Sequence, residues 1–78
     1  MNFTIYSKEY CPYCSKIIKV MQMKEFNFTV LKLGVDFTRE EFYDQFGQGS
    51  TFPQLLMGDY NVGGCTETVA YLRENNLI

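Results

Sequence analysis

An α/β fold of order βαβ-α-ββ-α is predicted over residues 1–78, taken as one domain, from three features of the sequence. Residues Asn2 to Tyr6 alternate polar and apolar side chains among strong β-formers, the pattern of a half-buried strand. Cys14, Ile17, Ile18 and Met21 recur at i, i+3, i+4 and i+7, which gathers one apolar stripe on a helix of about three turns. Phe26 to Leu33 is aromatic and β-branched, hence a second strand. Strand, helix and strand in succession make a βαβ unit.

The remaining elements follow in order. Ser7 to Tyr10 is a short loop ending at Cys11, and Pro12 stands where a helix begins, its fixed φ and missing N–H suiting a first turn. Lys16, Lys19 and Lys24 fall off the apolar stripe and form a solvated face. Gly34 to Phe37 connects to Thr38-Arg-Glu-Glu41, a capping box with Thr38 as N-cap and Glu41 reaching back. That predicts a second helix to Phe46, with Phe42 and Phe46 one turn apart and Gly47 as its stop. Gly47 to Ser50 is a flexible loop. Gln54 to Met57, a Gly58-Asp59 turn and Tyr60 to Val62 form a hairpin. Gly63-Gly64-Cys65 breaks the pattern, and Thr66 is the expected N-cap of a last helix through Glu74 that packs Val69 and Leu72.

Composition narrows function. The chain has 46% apolar and 17% aromatic residues, seven basic and nine acidic groups, three cysteines and no histidine. Without histidine, Ser-His-Asp and Cys-His catalysis, HExxH zinc sites and Cys₂His₂ fingers are excluded. A formal charge of −2 argues against nucleic acid as a partner. No stretch approaches the roughly 20 apolar residues needed to span a bilayer. Met1 to Ser7 lacks the basic and apolar regions of a signal peptide, so a cytoplasmic location is expected. Three cysteines make no disulfide framework, and the thirteen Phe and Tyr residues are expected to carry the core.

Cys11-Pro12-Tyr13-Cys14 carries the chemistry. A CxxC at a strand-to-helix junction puts the first thiol at a helix N-terminus, where free N–H groups and the helix dipole favour the thiolate. The thiolate is the attacking species in disulfide exchange, and a second thiol one turn on can resolve a mixed disulfide within the same chain. A zinc site would need two further ligands, and only Cys65 remains, so no metal is expected. Position on a βαβ unit favours redox chemistry.

Three motifs in order, Tyr10-Cys11-Pro12-Tyr13-Cys14, Thr51-Phe52-Pro53 and Gly63-Gly64-Cys65, resemble those of the dithiol glutaredoxins, and the resemblance covers essentially the whole chain. It implies a thioredoxin-like fold, a four-stranded mixed sheet flanked by three helices. It also implies a monomeric, glutathione-dependent enzyme that reduces protein disulfides and glutathione mixed disulfides, ribonucleotide reductase among its partners, with Cys11 as nucleophile and Cys14 as resolving thiol. Glutathione is then the co-substrate. By the same resemblance Pro53 is cis and turns the backbone of Phe52 toward Cys11. Gly64 permits close approach, while the N–H of Cys65 and the backbone and side chain of Thr66 hold the γ-glutamyl end. Lys8 holds the glycine carboxylate, with Arg39 a second candidate or else a solvated surface residue. Tyr13 flanks the cysteinyl moiety, and Cys65 is expected to be a buried bystander. The sequence departs from the family at Phe52, where valine is commonest, and at Thr66-Glu67, where many members have two acidic residues. Two other readings stay open: a glutathione-independent redoxin reduced by thioredoxin reductase that feeds ribonucleotide reductase, and a non-enzymatic iron–sulfur carrier.

Overall fold

The alternation that marks the first strand decides which side chains face which layer. In the computed structural model, which describes residues 2–78, strand β1 (Asn2–Ser7) buries Phe3, Ile5 and Ser7 and leaves Thr4 and Tyr6 half-buried on the other face. Helix α1 (Pro12–Met23) follows, then β2 (Asn27–Lys32), α2 (Arg39–Phe46), β3 (Gln54–Met57), β4 (Tyr60–Gly63) and α3 (Cys65–Glu74). The sheet order is β2-β1-β3-β4. β1 and β2 pair parallel with Ile5 opposite Val30, as a helical crossover demands, whereas β1–β3 and β3–β4 are antiparallel. This is the thioredoxin-like arrangement, a mixed four-stranded sheet with three helices.

The core has two chemically different halves. Phe3, Ile5 and Leu55 pack against Ile17 and Met21 of α1 and Leu72 of α3, a mostly aliphatic layer. On the opposite face Tyr6 meets Phe37 at 5.0 Å and Phe46 at 4.9 Å between ring centroids, and Phe42 stacks on Phe52 at 4.1 Å. The expectation that the aromatics carry the core holds in part: rings fill the α2 side, while on the other face Phe3, with Phe26 edge-on to it at 5.4 Å, packs among aliphatic side chains. Tyr10, Tyr13 and Tyr60 are exposed.

Both capping-box groups of α2 are made. Glu41 N–H donates to Thr38 Oγ1 at 3.1 Å, and Thr38 N–H donates to Glu41 Oε1 at 2.9 Å. Gly47 ends the helix at φ 103°. The last helix corrects the sequence reading: its N-cap is Gly64, not Thr66. Gly64 N–H donates to Glu67 Oε1 at 2.8 Å, and Thr68 N–H reaches the Gly64 carbonyl at 2.9 Å. Glu67 thus occupies the third helical position, and the reach of its carboxylate, rather than the Thr66 hydroxyl, sets where the helix starts. Strand ends shift by a residue or so from their expected bounds; β4 runs one residue further, into Gly63.

Candidate active site

The end of β1 delivers the reactive pair to the top of the sheet. Ser7 Oγ donates to the Leu31 carbonyl at 3.0 Å, tying the strand end to β2 before the chain turns outward. Tyr10 then adopts φ 56°, a left-handed conformation uncommon for a bulky residue, and the chain enters α1 with Cys11 as its N-cap. Ser15 N–H donates to the Cys11 carbonyl at 3.1 Å, closing the first helical turn. Pro12 contributes no donor, but Cys14 N–H points at Cys11 Sγ with a separation of 3.2 Å. No acidic residue stands in the first turn of α1. The start of this helix is therefore built to favour negative charge on Sγ.

Cys11 and Cys14 form a disulfide, with Cα atoms 5.2 Å apart. Both are buried, and Cys14 is the deeper, at 2% exposed against 8% for Cys11. An attacking thiol at the rim and a resolving thiol beneath it is the division of labour that intramolecular exchange requires.

Three loops converge around this pair. The Phe52–Pro53 bond is cis and Pro53 is buried. Phe52 is held from below by Phe42 and more loosely by Phe37, 6.1 Å away. Lys8 Nζ sits 5.4 Å from the centre of the Phe52 ring, so the loop before Cys11 and the loop before β3 are linked by a cation–π contact. The start of α3 closes against the same proline. A Cβ at Gly64 would lie 3.4 Å from the Pro53 carbonyl and 2.8 Å from Glu67 Oε1, so only glycine fits without displacement.

The result is a cleft of about 290 Å³ whose walls include Tyr13, Phe52, Pro53, Gly64, Cys65 and Thr66. Six residues singled out from three separate motifs are thereby brought together. The N–H groups of Cys65 and Thr66, at the first two positions of α3, have no partner within the helix and can receive a carboxylate. A larger, separate hollow of about 590 Å³ is lined by Lys8, Cys11 and Cys14 among others. Arg39 is exposed at the first position of α2 and lines neither hollow. Burial pushes the Cys65 thiol above its ordinary value, an effect opposed by the charge of Lys16 and reinforced by Glu67. Cys65 is free. Glu67, noted in the sequence only within the Thr66-Glu67 departure, is given no role there, although its spacing of three from Gly64 is the signal that identifies it. Thr51 and Tyr10, which carry no assigned role in the sequence reading, also line the hollows. No described helix is long and apolar enough to cross a membrane.

Comparison with known proteins agrees with this geometry. The glutaredoxin family model matches residues 3–60. Glutaredoxin 3 of Escherichia coli K12 is 34% identical over 70 residues, which cover 88% of this chain and 83% of that protein. Among solved structures, glutaredoxin 1 from Francisella tularensis complexed with cacodylate superposes with a TM-score of 0.80 at 27% identity, covering 96% of this chain and 95% of that one. A buckwheat glutaredoxin–glutathione complex gives a TM-score of 0.74 at 25% identity, over 96% of this chain and 71% of its own.

Proposed function

Because this chain belongs to the glutaredoxin family of thiol–disulfide oxidoreductases, we propose that it uses glutathione to reduce protein disulfides and glutathione mixed disulfides. The observation that carries this reading is the cleft reached by Tyr13 of the CxxC motif, where the Phe52–Pro53 turn meets the free Cys65 and Thr66 N–H groups at the start of α3. Its parts suit a γ-glutamyl-cysteinyl-glycine tripeptide. The Cys65 and Thr66 N–H groups receive the γ-glutamyl carboxylate, with the Thr66 hydroxyl beside them. The Phe52 backbone pairs with the cysteinyl unit, Tyr13 flanks it, and Lys8 takes the glycine carboxylate. Arg39 is assigned as a second, outer cation for that carboxylate. That a buckwheat relative was solved in complex with glutathione supports glutathione as the ligand class.

The chemistry begins on the Cys11 thiolate, stabilised by the Cys14 N–H and the helix N-terminus. It attacks the glutathione sulfur of a protein mixed disulfide. A Cys11–glutathione S–S bond forms as the original S–S bond breaks, and the protein leaves as a thiolate that takes a proton from solvent. A second glutathione thiolate then attacks the glutathione sulfur on Cys11, releasing oxidised glutathione and the Cys11 thiolate. With a protein disulfide, Cys11 first forms a mixed disulfide with one substrate sulfur. Cys14, as thiolate, attacks Cys11 Sγ, expels the reduced protein and closes the Cys11–Cys14 bond. Two glutathiones restore the dithiol, leaving as one oxidised glutathione.

On this reading residues 1–78 act as one monomeric domain in the cytoplasm, with ribonucleotide reductase among the disulfide proteins it serves. The test is turnover of a small glutathione mixed disulfide, coupled either to glutathione with glutathione reductase or to thioredoxin reductase. Turnover in the first system is expected. Turnover only in the second would replace the proposal with a glutathione-independent redoxin.

A further inference from the structure

We infer that the larger hollow, on the Tyr10 side of the Cys11–Cys14 pair, seats the polypeptide of a protein substrate, and that Tyr10 distinguishes protein substrates from small disulfides. The inference rests on the disulfide-reducing reading above. Two tyrosines bracket the nucleophile and serve different hollows. Tyr13 walls the smaller one, which the reading above assigns to glutathione. Tyr10 belongs to the larger, which at about 590 Å³ has roughly twice the volume and contains both cysteines in its wall.

Tyr10 has no role in holding the fold together. It is 98% exposed, the most exposed of the large apolar side chains among the described residues, and it sits in a left-handed conformation immediately before Cys11. A rigid aromatic body with a polar tip, presented to solvent beside a reaction centre, is the kind of side chain that anchors protein interfaces. The hollow behind it has a floor of half-buried Ile18 and Val30, and its rim carries Lys8 and Lys32 against one carboxylate, Glu9. That surface fits a chain segment with an apolar side chain and an acidic residue next to its cysteine.

On that reading glutathione occupies the smaller hollow, whereas the polypeptide bonded to it extends past the sulfur and rests on the surface around it. During attack by Cys11 on the glutathione sulfur, the protein thiolate departs with the electron pair of the broken S–S bond. Contacts to Tyr10 hold the departing chain only when that chain is a polypeptide. A mixed disulfide of glutathione with a small thiol does not reach the ring.

The test compares the enzyme with Tyr10→Ala and Tyr10→Phe on two substrates. One is a short peptide whose single cysteine is glutathionylated and flanked by leucine and glutamate; the other is the mixed disulfide of glutathione and 2-mercaptoethanol. Tyr10→Ala is expected to lower kcat/KM on the peptide about tenfold, through KM, while Tyr10→Phe keeps it. On the small substrate both variants stay within about twofold of the parent. A glutamate-to-lysine change in the peptide should weaken its use, and Lys32→Glu should reverse that preference. Equal loss on both substrates, or no loss on either, overturns the inference. Failure of the unmodified enzyme on the small substrate overturns the glutathione-dependent reading itself.

Discussion

The Cys14 amide donates to Cys11 Sγ at 3.2 Å, so the resolving residue supports the nucleophile through its backbone as well as through its thiol. The two roles separate on mutation because replacing the Cys14 side chain leaves its N–H in place. Cys11→Ser should abolish reduction of both glutathione mixed disulfides and protein disulfides. Cys14→Ser should lose the protein-disulfide route and keep deglutathionylation, measured with glutathione and glutathione reductase. Equal loss of both activities in the two variants would falsify the monothiol route.

Lys8 stands over the Phe52 ring and lines the larger hollow together with both reactive cysteines. Its charge is assigned to the glycine carboxylate of glutathione, an exposed pairing of about 1 kcal/mol. Lys8→Met should therefore raise KM for a small glutathione mixed disulfide by about fivefold, with Lys8→Arg restoring most of it. The gap between the parent enzyme and the Lys8→Met variant should shrink as ionic strength rises, since salt screens an exposed pair. A salt-independent gap would place the effect in packing on Phe52 instead.

Thr68 is fully buried in α3 and its Oγ1 has no hydrogen-bond partner. A desolvated hydroxyl left unsatisfied costs about 1–3 kcal/mol, and valine has the same shape without it. Thr68→Val should stabilise the fold by about 1 kcal/mol, seen as a higher urea midpoint at unchanged slope. Thr68→Ser, which keeps the hydroxyl and loses the methyl, should destabilise.

Cys65 links stability to alkaline pH. Burial holds its thiol protonated in the folded chain beyond the point at which the unfolded chain ionises, Lys16 acting against this and Glu67 with it. The folded state then binds more protons than the unfolded one above roughly pH 8.5, so this contribution is complete below that pH and is lost as pH rises. Urea unfolding of the reduced protein and of reduced Cys65→Ala should show their stability difference narrowing from pH 7 to the alkaline range. A constant difference would mean the buried thiol does not couple to folding.

Most of the architecture is legible in the sequence because it rests on local patterns. The apolar stripe from Cys14 to Met21, the Thr38–Glu41 box and the Gly58–Asp59 turn each encode their element within a few residues. The start of α3 is harder to place because two signals compete there. Thr66 is a good capping residue by type, but the Glu67 carboxylate accepts from the Gly64 N–H and the helix starts two residues earlier. Composition suggests an aromatic core throughout, yet it counts rings without saying which sheet face receives them.

Sequence by itself determined the α/β order, the Cys11–Cys14 pair at a helix start and the chemistry such a pair supports, since spacing and helix polarity are local properties. Tertiary structure alone decided that Tyr13, Phe52, Pro53, Gly64, Cys65 and Thr66 share one cleft, that Arg39 lies outside it and that Tyr10 faces another. Those relations depend on how a parallel crossover and an antiparallel hairpin bring distant loops to the same end of the sheet. A closure of that kind is set by packing and register across the whole chain, and no window of neighbouring residues contains it.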